Sequence, residues 1–259
     1  MSTAVERLFS VSGKRVLITG GTRGVGLMIA RAMSEAGAQL IVASRKPEAC
    51  AAAAAELGCL AVVADLNQAE GVRALVAEVD QSFDSGLDVL INNAGATWGA
   101  PLEEFPRTAW NRVLGVNLVG LFEATVRLLP ALRRTASAAA PARVINIGSV
   151  DGMVVPGDEN YAYSASKAAV HMLTRHLAQR LAPDNVTVNA IAPGPFDSKM
   201  TAFKLGDATG RSAVEAMIPL GRVGQLDDIG GTAIFLSARA SAYMTGTVVP
   251  VDGGFSGCK

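Results

Sequence analysis

Two side chains able to move a proton together stand four residues apart near the middle of the chain, in Tyr163-Ser-Ala-Ser-Lys167. If that segment is helical, positions i and i+4 lie one above the other on the same face. An ammonium beside a phenol favours the phenolate, so the spacing predicts a tyrosine more acidic than its ordinary value of about 10. A shift of roughly three units corresponds to about 4 kcal/mol and would give a proton donor and acceptor usable near neutral pH. Tyr161 has Ala165 four residues on, so nothing tunes it in the same way. Ser149, upstream of the pair, offers a second hydroxyl.

The elements that must carry these residues follow from the periodicity. Apolar runs at Arg15–Thr19, Leu40–Ala43, Leu60–Ala64, Leu87–Ile91, Arg143–Ile147, Val186–Ile191 and Val248–Val251 read as strands. Between them lie stretches of helical period: 24–36, with Val25, Met28, Ile29, Ala32 and Met33 on its inner face; an alanine-rich helix ending at Gly58; one capped by Asn67 and running to about Phe83; 106–134; and the Tyr163 helix, ending near Leu181. Continuous apolar strands alternating with helices imply an α/β fold. The expected architecture is a single-domain, doubly wound, Rossmann-type parallel sheet of about seven strands with helices on both faces, spanning 1–259.

Thr19-Gly-Gly-Thr-Arg-Gly-Val-Gly26 lies between the first strand and the first helix. Glycines there let the backbone approach a pyrophosphate, and the helix N-terminus supplies free N–H groups. The spacing is Gly-x-x-x-Gly-x-Gly rather than the general Gly-x-Gly-x-x-Gly of dinucleotide sites. At the end of the second strand, where an acid would hold an unphosphorylated ribose, the chain has Ser44, Arg45 and Lys46. A 2′-phosphate carries close to two negative charges, which Arg45 and Arg23 can grip and an acid would repel. The expected cofactor is NADP(H).

Composition narrows the partners. Lys plus Arg equals Asp plus Glu at 23 each, so a nucleic-acid or anionic-membrane partner is not expected. Cys50, Cys59 and Cys258 form no Cys-x-x-Cys pair and are odd in number, which points to free thiols in a reducing cytoplasm and to no metal site. The first residues lack the layout of a signal peptide, and no uncharged apolar run approaches the length of a bilayer span.

With these motifs in order, the chain resembles a short-chain dehydrogenase/reductase of the ~250-residue type. The likeness rests on Thr19 to Gly26, Asp65-Leu66, Asn92-Asn-Ala-Gly95, Asn117, Ser149, Tyr163-x-x-x-Lys167, Pro193-Gly194 and Asp252-Gly-Gly254. It implies a catalytic set of Asn117, Ser149, Tyr163 and Lys167. Ser149 would hold the substrate oxygen, Tyr163 transfer the proton, Lys167 hold the nicotinamide ribose, and Asn117 position a relay water. It further implies a cofactor cradle of Gly20, Gly21, Thr22, Arg23, Gly24, Val25, Gly26, Ser44, Arg45, Asp65, Leu66, Asn92, Ala94, Gly95, Tyr163, Lys167, Pro193, Gly194, Phe196 and Ser198. In that cradle Asp65 would meet the adenine amino group and Asn92 would line the ribose pocket.

The family often reads Pro-Gly-x-Ile-x-Thr where this chain has Pro193-Gly-Pro-Phe-Asp-Ser198, so the shape of the following loop departs from the pattern. The segment 196–218 would be a substrate lid, with Phe203, Leu205, Met217 and Ile218 as its apolar residues facing Trp98, Met153 and Val155. Such a pocket suits an acyl chain or lipophilic ketone. Within the family, Ala96–Ala100, Arg143–Ser149 and Ala242–Gly246 are similar to bacterial 3-oxoacyl-thioester reductases, those of the rhamnolipid pathway included. The resemblance implies a homotetramer built on the long helix from Pro106 and the Tyr163 helix. An NADP-dependent alcohol or sugar-acid dehydrogenase is the alternative within enzymes. A nucleotide-sensing binding protein is a remoter one, having no need of the Ser, Tyr and Lys set.

Overall fold

Strands that are apolar on both sides have to be covered on both faces, and the chain meets that demand by alternation. The computed structural model describes residues 3–84 and 86–258. Its strands are β1 (Arg15–Thr19), β2 (Gln39–Ser44), β3 (Leu60–Val63), β4 (Val89–Asn92), β5 (Ala142–Ile147), β6 (Val186–Pro193) and β7 (Val248–Val251). All seven are parallel in one sheet of order β3-β2-β1-β4-β5-β6-β7. The chain changes direction of winding between β1 and β4. That reversal opens a crevice beyond their carboxyl ends, where ligands bind in sheets of this kind.

The helices are α1 (Ala4–Phe9), α2 (Gly24–Glu35), α3 (Pro47–Leu57), α4 (Ala69–Ser82), α5 (Arg107–Leu114), α6 (Leu121–Thr135), α7 (Tyr161–Leu181), α8 (Ala202–Leu205), α9 (Ala208–Ala216) and α10 (Leu226–Ser237). Alternation along each strand divides the core in two. Leu17, Ile41, Leu90, Val144 and Val188 meet α4, α6 and α7 on one face. Val16, Ile18, Val42, Ile91, Ile145 and Ile191 meet α2 and α10 on the other. A small third cluster, Leu205, Val214, Ile218 and Val223 with Phe255, holds α8 and α9 together.

The expected strands all form, with boundaries shifted by a residue or two except at β1 and β7, which match end to end. Gly58 closes α3 in the left-handed conformation at φ 59°. One reading is corrected. Gln68, not Asn67, occupies the cap position of α4, and Asn67 instead packs on Gly115, where a Cβ would lie 2.0 Å from its Oδ1. α10 was not anticipated, because adjacent Gly230 and Gly231 are poor helix formers. Gly230 is there to let α10 approach α2: a Cβ on it would come within 2.4 Å of the Ala32 Cβ.

α5 and α6 form one continuous helix, 107–135, through a wide π turn at Gly115–Gly120. That helix is long and apolar enough by composition to cross a membrane, which a search for an uncharged run does not register. Here Leu121, Ala124, Leu128 and Leu132 are packed into the sheet core.

Candidate active site

Lys167 lies two helical turns into α7 and is almost wholly buried, at 4% exposure. Its Nζ donates to the carbonyl of Ile147, the last residue of β5, at 2.7 Å, and sits 5.5 Å from the centroid of the Tyr163 ring. Ser149 follows β5 by two residues. Its hydroxyl accepts from the backbone N–H of Asp151 at 3.1 Å and hydrogen-bonds the Tyr163 side chain. A strand end and a helix thus bring Ser149, Tyr163 and Lys167 to one point at the carboxyl edge of the sheet.

The expected acid phenol is not what the fold builds. Burial pushes Tyr163 up to about 12, with the Asp151 charge adding to the rise and the Ser149 hydrogen bond opposing it. Burial likewise brings Lys167 down to about 8, against the attraction of Asp151. The helical spacing does place cation beside ring, but the ammonium is directed at a carbonyl and both groups pay for desolvation. At neutral pH the phenol is a proton donor.

Asn117 sits inside the π turn, 1% exposed. Its Oδ1 accepts from Ala96 N–H at 2.7 Å, and its Nδ2 donates to the Ala96 carbonyl at 3.0 Å and to Ser166 Oγ at 2.9 Å. Ser166 in turn donates to the Tyr163 carbonyl at 2.7 Å. Its side chain therefore braces the segment after β4 against α7. Gly95 lies between: a Cβ there would be 3.5 Å from Asn117 Oδ1 and 3.9 Å from Lys167 Nζ.

The glycine turn is cut for close approach. Gly20 (φ 66°) faces the Ala94 backbone, where a Cβ would stop at 2.9 Å, and Gly24 (φ 53°) faces Ser198. Gly26 is packed by Asn93, whose Nδ2 would be 2.2 Å from an added Cβ and which donates to the carbonyls of Thr19 and Gly20 at 3.0 and 2.9 Å. The Thr19 hydroxyl accepts from Asn93 and Ala94 N–H at 3.0 and 3.1 Å. Arg23, at the start of α2, is exposed, as are Arg45 and Lys46 beyond β2. Among the described residues none of the three forms an ion pair, so a phosphate-bearing ribose fits the cations the chain presents there. Ser44 ends β2 half-buried, and Asp65 bends back to accept from Asn67 N–H at 3.0 Å.

Four residues expected in the cradle have their side chains elsewhere. Asn92 is 2% exposed and donates to Thr125 Oγ1 and Asn146 Oδ1 at 2.9 and 3.0 Å, on the face of the sheet away from the turn. Its neighbour Asn93 does the work at the crevice; strand alternation, applied to the adjacent pair, was the signal that distinguishes them. Leu66 and Val25 point into core clusters. Phe196 is 2% exposed and lies over Gly224, where a Cβ would be 2.3 Å from its ring. Gly194, just after β6, meets Asp252, just after β7, with 2.7 Å between an added Cβ and the Asp252 Cβ, so it lets the two strand ends lie close together.

Of the residues expected to face the substrate, Met153, Val155, Phe203 and Met217 are exposed, at 45%, 94%, 72% and 51%. Trp98 is half-buried, with the Arg112 guanidinium 5.8 Å from its centroid. Leu205 and Ile218 are corrected: both are consumed in the small cluster beneath α8 and α9. Three residues near the centre were not anticipated. Asp151 is held by Asn160 Nδ2 at 2.9 Å, His171 is buried beneath the Ser149 loop, and Ser166 braces Asn117. No pattern of spacing marks them.

Comparison with known proteins places this geometry. A family model described as enoyl-(acyl carrier protein) reductase matches residues 20–256. The rhamnolipids biosynthesis 3-oxoacyl-[acyl-carrier-protein] reductase of Pseudomonas aeruginosa is 46% identical over 251 residues, 95% of this chain and 98% of that protein. The gluconate 5-dehydrogenase of Gluconobacter oxydans is 34% identical over 259 residues, 96% and 97% of the two chains. Among solved structures, the Pseudomonas aeruginosa RhlG/NADP active-site complex superposes with a TM-score of 0.93 at 46% identity, covering 96% of this chain and 99% of that one. A gluconate 5-dehydrogenase from Burkholderia cenocepacia in complex with NADP and tartrate gives 0.88 at 33% identity, covering 98% and 99%.

Proposed function

The chain belongs to the short-chain dehydrogenase/reductase family, and from that premise we propose that it is an NADPH-dependent reductase that turns a carbonyl, a 3-oxoacyl thioester or lipophilic ketone, into a secondary alcohol. The observation that carries this reading is the convergence of Ser149, Tyr163 and Lys167 at the carboxyl edge of the sheet, beside the glycine turn. The whole chain, 1–259, acts as one NADP-binding unit with 196–218 as its lid.

Bound NADPH would supply the hydride. The chain's own residues do the rest. The glycine turn and the N-terminus of α2 receive the pyrophosphate, Arg23 and Arg45 the 2′-phosphate, and Lys167, close to Gly95, the nicotinamide ribose. As charge builds on the substrate oxygen, Ser149 and Tyr163 donate to it, each worth about 3 kcal/mol. Tyr163 then gives up its proton to that oxygen. A phenol kept protonated by burial suits this direction. Asn117 has its side-chain amide fully engaged, which leaves its backbone in the π turn to hold a relay water.

The 46% identity with a 3-oxoacyl reductase and the exposed apolar rim of Met153, Val155, Phe203 and Met217 support an acyl substrate. Likeness to gluconate 5-dehydrogenases keeps a sugar-acid dehydrogenase as the second reading. A homotetramer accords with the apolar Val119, Phe122 and Val126 exposed on the long helix and Met172 on α7, and the expected location is the cytoplasm. Tyr163→Phe tests the core of the reading. NADPH oxidation with a 3-oxoacyl thioester should fall by a factor of roughly 100 to 10,000 while NADPH binding, followed by fluorescence titration, persists. Undiminished turnover would reject the assignment.

A further inference from the structure

Ser166 stands one residue before Lys167 in α7, among Ala162, Ala165, Ala168 and Ala169, and is wholly buried. Alanine is the better helix former and would fill the place without a polar group, so a hydroxyl there has to be satisfied by its surroundings. It is satisfied on both sides. Ser166 Oγ donates to the Tyr163 carbonyl at 2.7 Å and accepts from Asn117 Nδ2 at 2.9 Å.

The far end of this link leaves the Asn117 amide one orientation. Its Oδ1 accepts from Ala96 N–H at 2.7 Å, so its Nδ2 has to face the Ala96 carbonyl, at 3.0 Å, and Ser166. Exchanging the oxygen and nitrogen would set one donor against another at Ala96. Ser166 is thereby fixed as acceptor from Asn117 and donor to the Tyr163 carbonyl. A carboxamide does not pass a proton along, so this buried chain of bonds transmits position. It ties together the segment after β4, the π turn at Gly115–Gly120 and the turn of α7 that bears Tyr163.

Position matters most between turnovers. Tyr163 begins a reduction protonated and ends it as a phenolate, its proton now on the substrate oxygen. A proton from bulk water has to replace it before the next cycle, by way of the water held at the Asn117 backbone. We propose that Ser166 is a positioning residue for this return step, holding the π turn against α7 so that Asn117 keeps the relay water in place. The inference rests on the reductase reading and deepens it.

Ser166→Ala leaves one buried Nδ2 proton of Asn117 without an acceptor, and two measurements on the full-length protein follow the consequence. In the free protein, hydrogen exchange read by mass spectrometry should quicken by roughly fivefold or more in the peptide covering 115–120, with the sheet strands unchanged. With NADPH and acetoacetyl-coenzyme A, a 3-oxoacyl thioester, the first turnover uses the proton already on Tyr163 and should keep its rate within about threefold. Later turnovers need the return step, so steady-state kcat should fall roughly tenfold, and a burst of about one NADPH per active site should appear. A merely structural role would slow both phases alike. Equal slowing of both phases, no slowing of either, or unchanged exchange at 115–120 overturns the inference and leaves the reductase reading standing. Should Ser166→Ala fail to fold, Ser166→Cys, close in volume and a weaker hydrogen-bonding group, is judged by the same two measurements. If the unaltered protein reduces neither this thioester nor the neutral ketone ethyl acetoacetate, the reductase reading falls and this inference with it.

Discussion

Gly148→Ala is a single added methyl whose consequence can be worked from the coordinates. Gly148 lies between β5 and Ser149, is buried, and donates its N–H to the Ile191 carbonyl at 2.7 Å. An added Cβ would sit 2.1 Å from His171 Nε2, 2.7 Å from His171 Cδ2 and 3.3 Å from the Ile191 oxygen. The ring is held on its other side by a hydrogen bond with the Gly152 backbone, which limits its retreat. Relief must come from a shift of the ring or of the loop between the two glycines, and that loop carries Ser149. Overpacking of this kind costs about 1–3 kcal/mol, which for a chain this long lowers Tm by roughly 2–12 °C. A displacement of about 1 Å at Ser149 would cost on the order of a hundredfold in kcat/KM. His171→Ala removes the obstruction at the expense of a cavity. In the double variant the methyl should occupy part of that space, so the effects on Tm and on kcat/KM should be far from additive, with a coupling of about 1–3 kcal/mol. Melting curves and NADPH-oxidation kinetics on the four proteins at one fixed concentration provide the cycle. Additivity within about 0.5 kcal/mol would show that the ring does not set the position of the loop, and the reasoning would fail.

Two further outcomes are expected. Arg45→Asp should lower the preference for NADPH over NADH by roughly a hundredfold, through the loss of a charged hydrogen bond and the gain of a repulsion; an unchanged preference would move the phosphate site elsewhere. His171 is brought down from 6.5 to about 4, chiefly by burial and then by Lys167. Its folded pKa lies below its unfolded one, so its contribution is intact above pH 6.5 and is lost as pH falls toward 4, about 3 kcal/mol in all. His171→Gln should flatten that part of the urea-midpoint profile, and a profile of unchanged slope counts against the buried neutral imidazole.

The fold was legible because its signals are repeated. Each strand is an apolar run bounded by turn residues, and seven of them in alternation with helices leave one architecture. Where a signal depended on a single local preference it was weaker. Two adjacent glycines concealed α10, although Gly230 is what allows that helix to lie against α2. Asn67 has the right chemistry for a cap and the wrong position by one residue, because its amide is needed against Gly115, far along the chain. The π turn at Gly115–Gly120 leaves no periodic trace, yet it is what turns Asn117 inward to Ala96 and Ser166.

The site was legible in its membership more than in its energetics. Spacing alone places Lys167 beside Tyr163, since a helix has one geometry. It does not say that both are buried, and burial reverses the expected sign: the phenol moves up to about 12 and the ammonium down to about 8. The same difference between adjacency and environment explains Asn92 and Asn93, identical in type and consecutive, of which one braces the core and the other the glycine turn. It explains Asp151 as well. An acid in a glycine-flanked loop reads as solvated surface until the fold half-buries it at the start of α7, where Asn160 Nδ2 donates to it at 2.9 Å. Burial is the largest influence on the Tyr163 phenol, with the Ser149 hydrogen bond opposing the rise and the Asp151 charge adding to it.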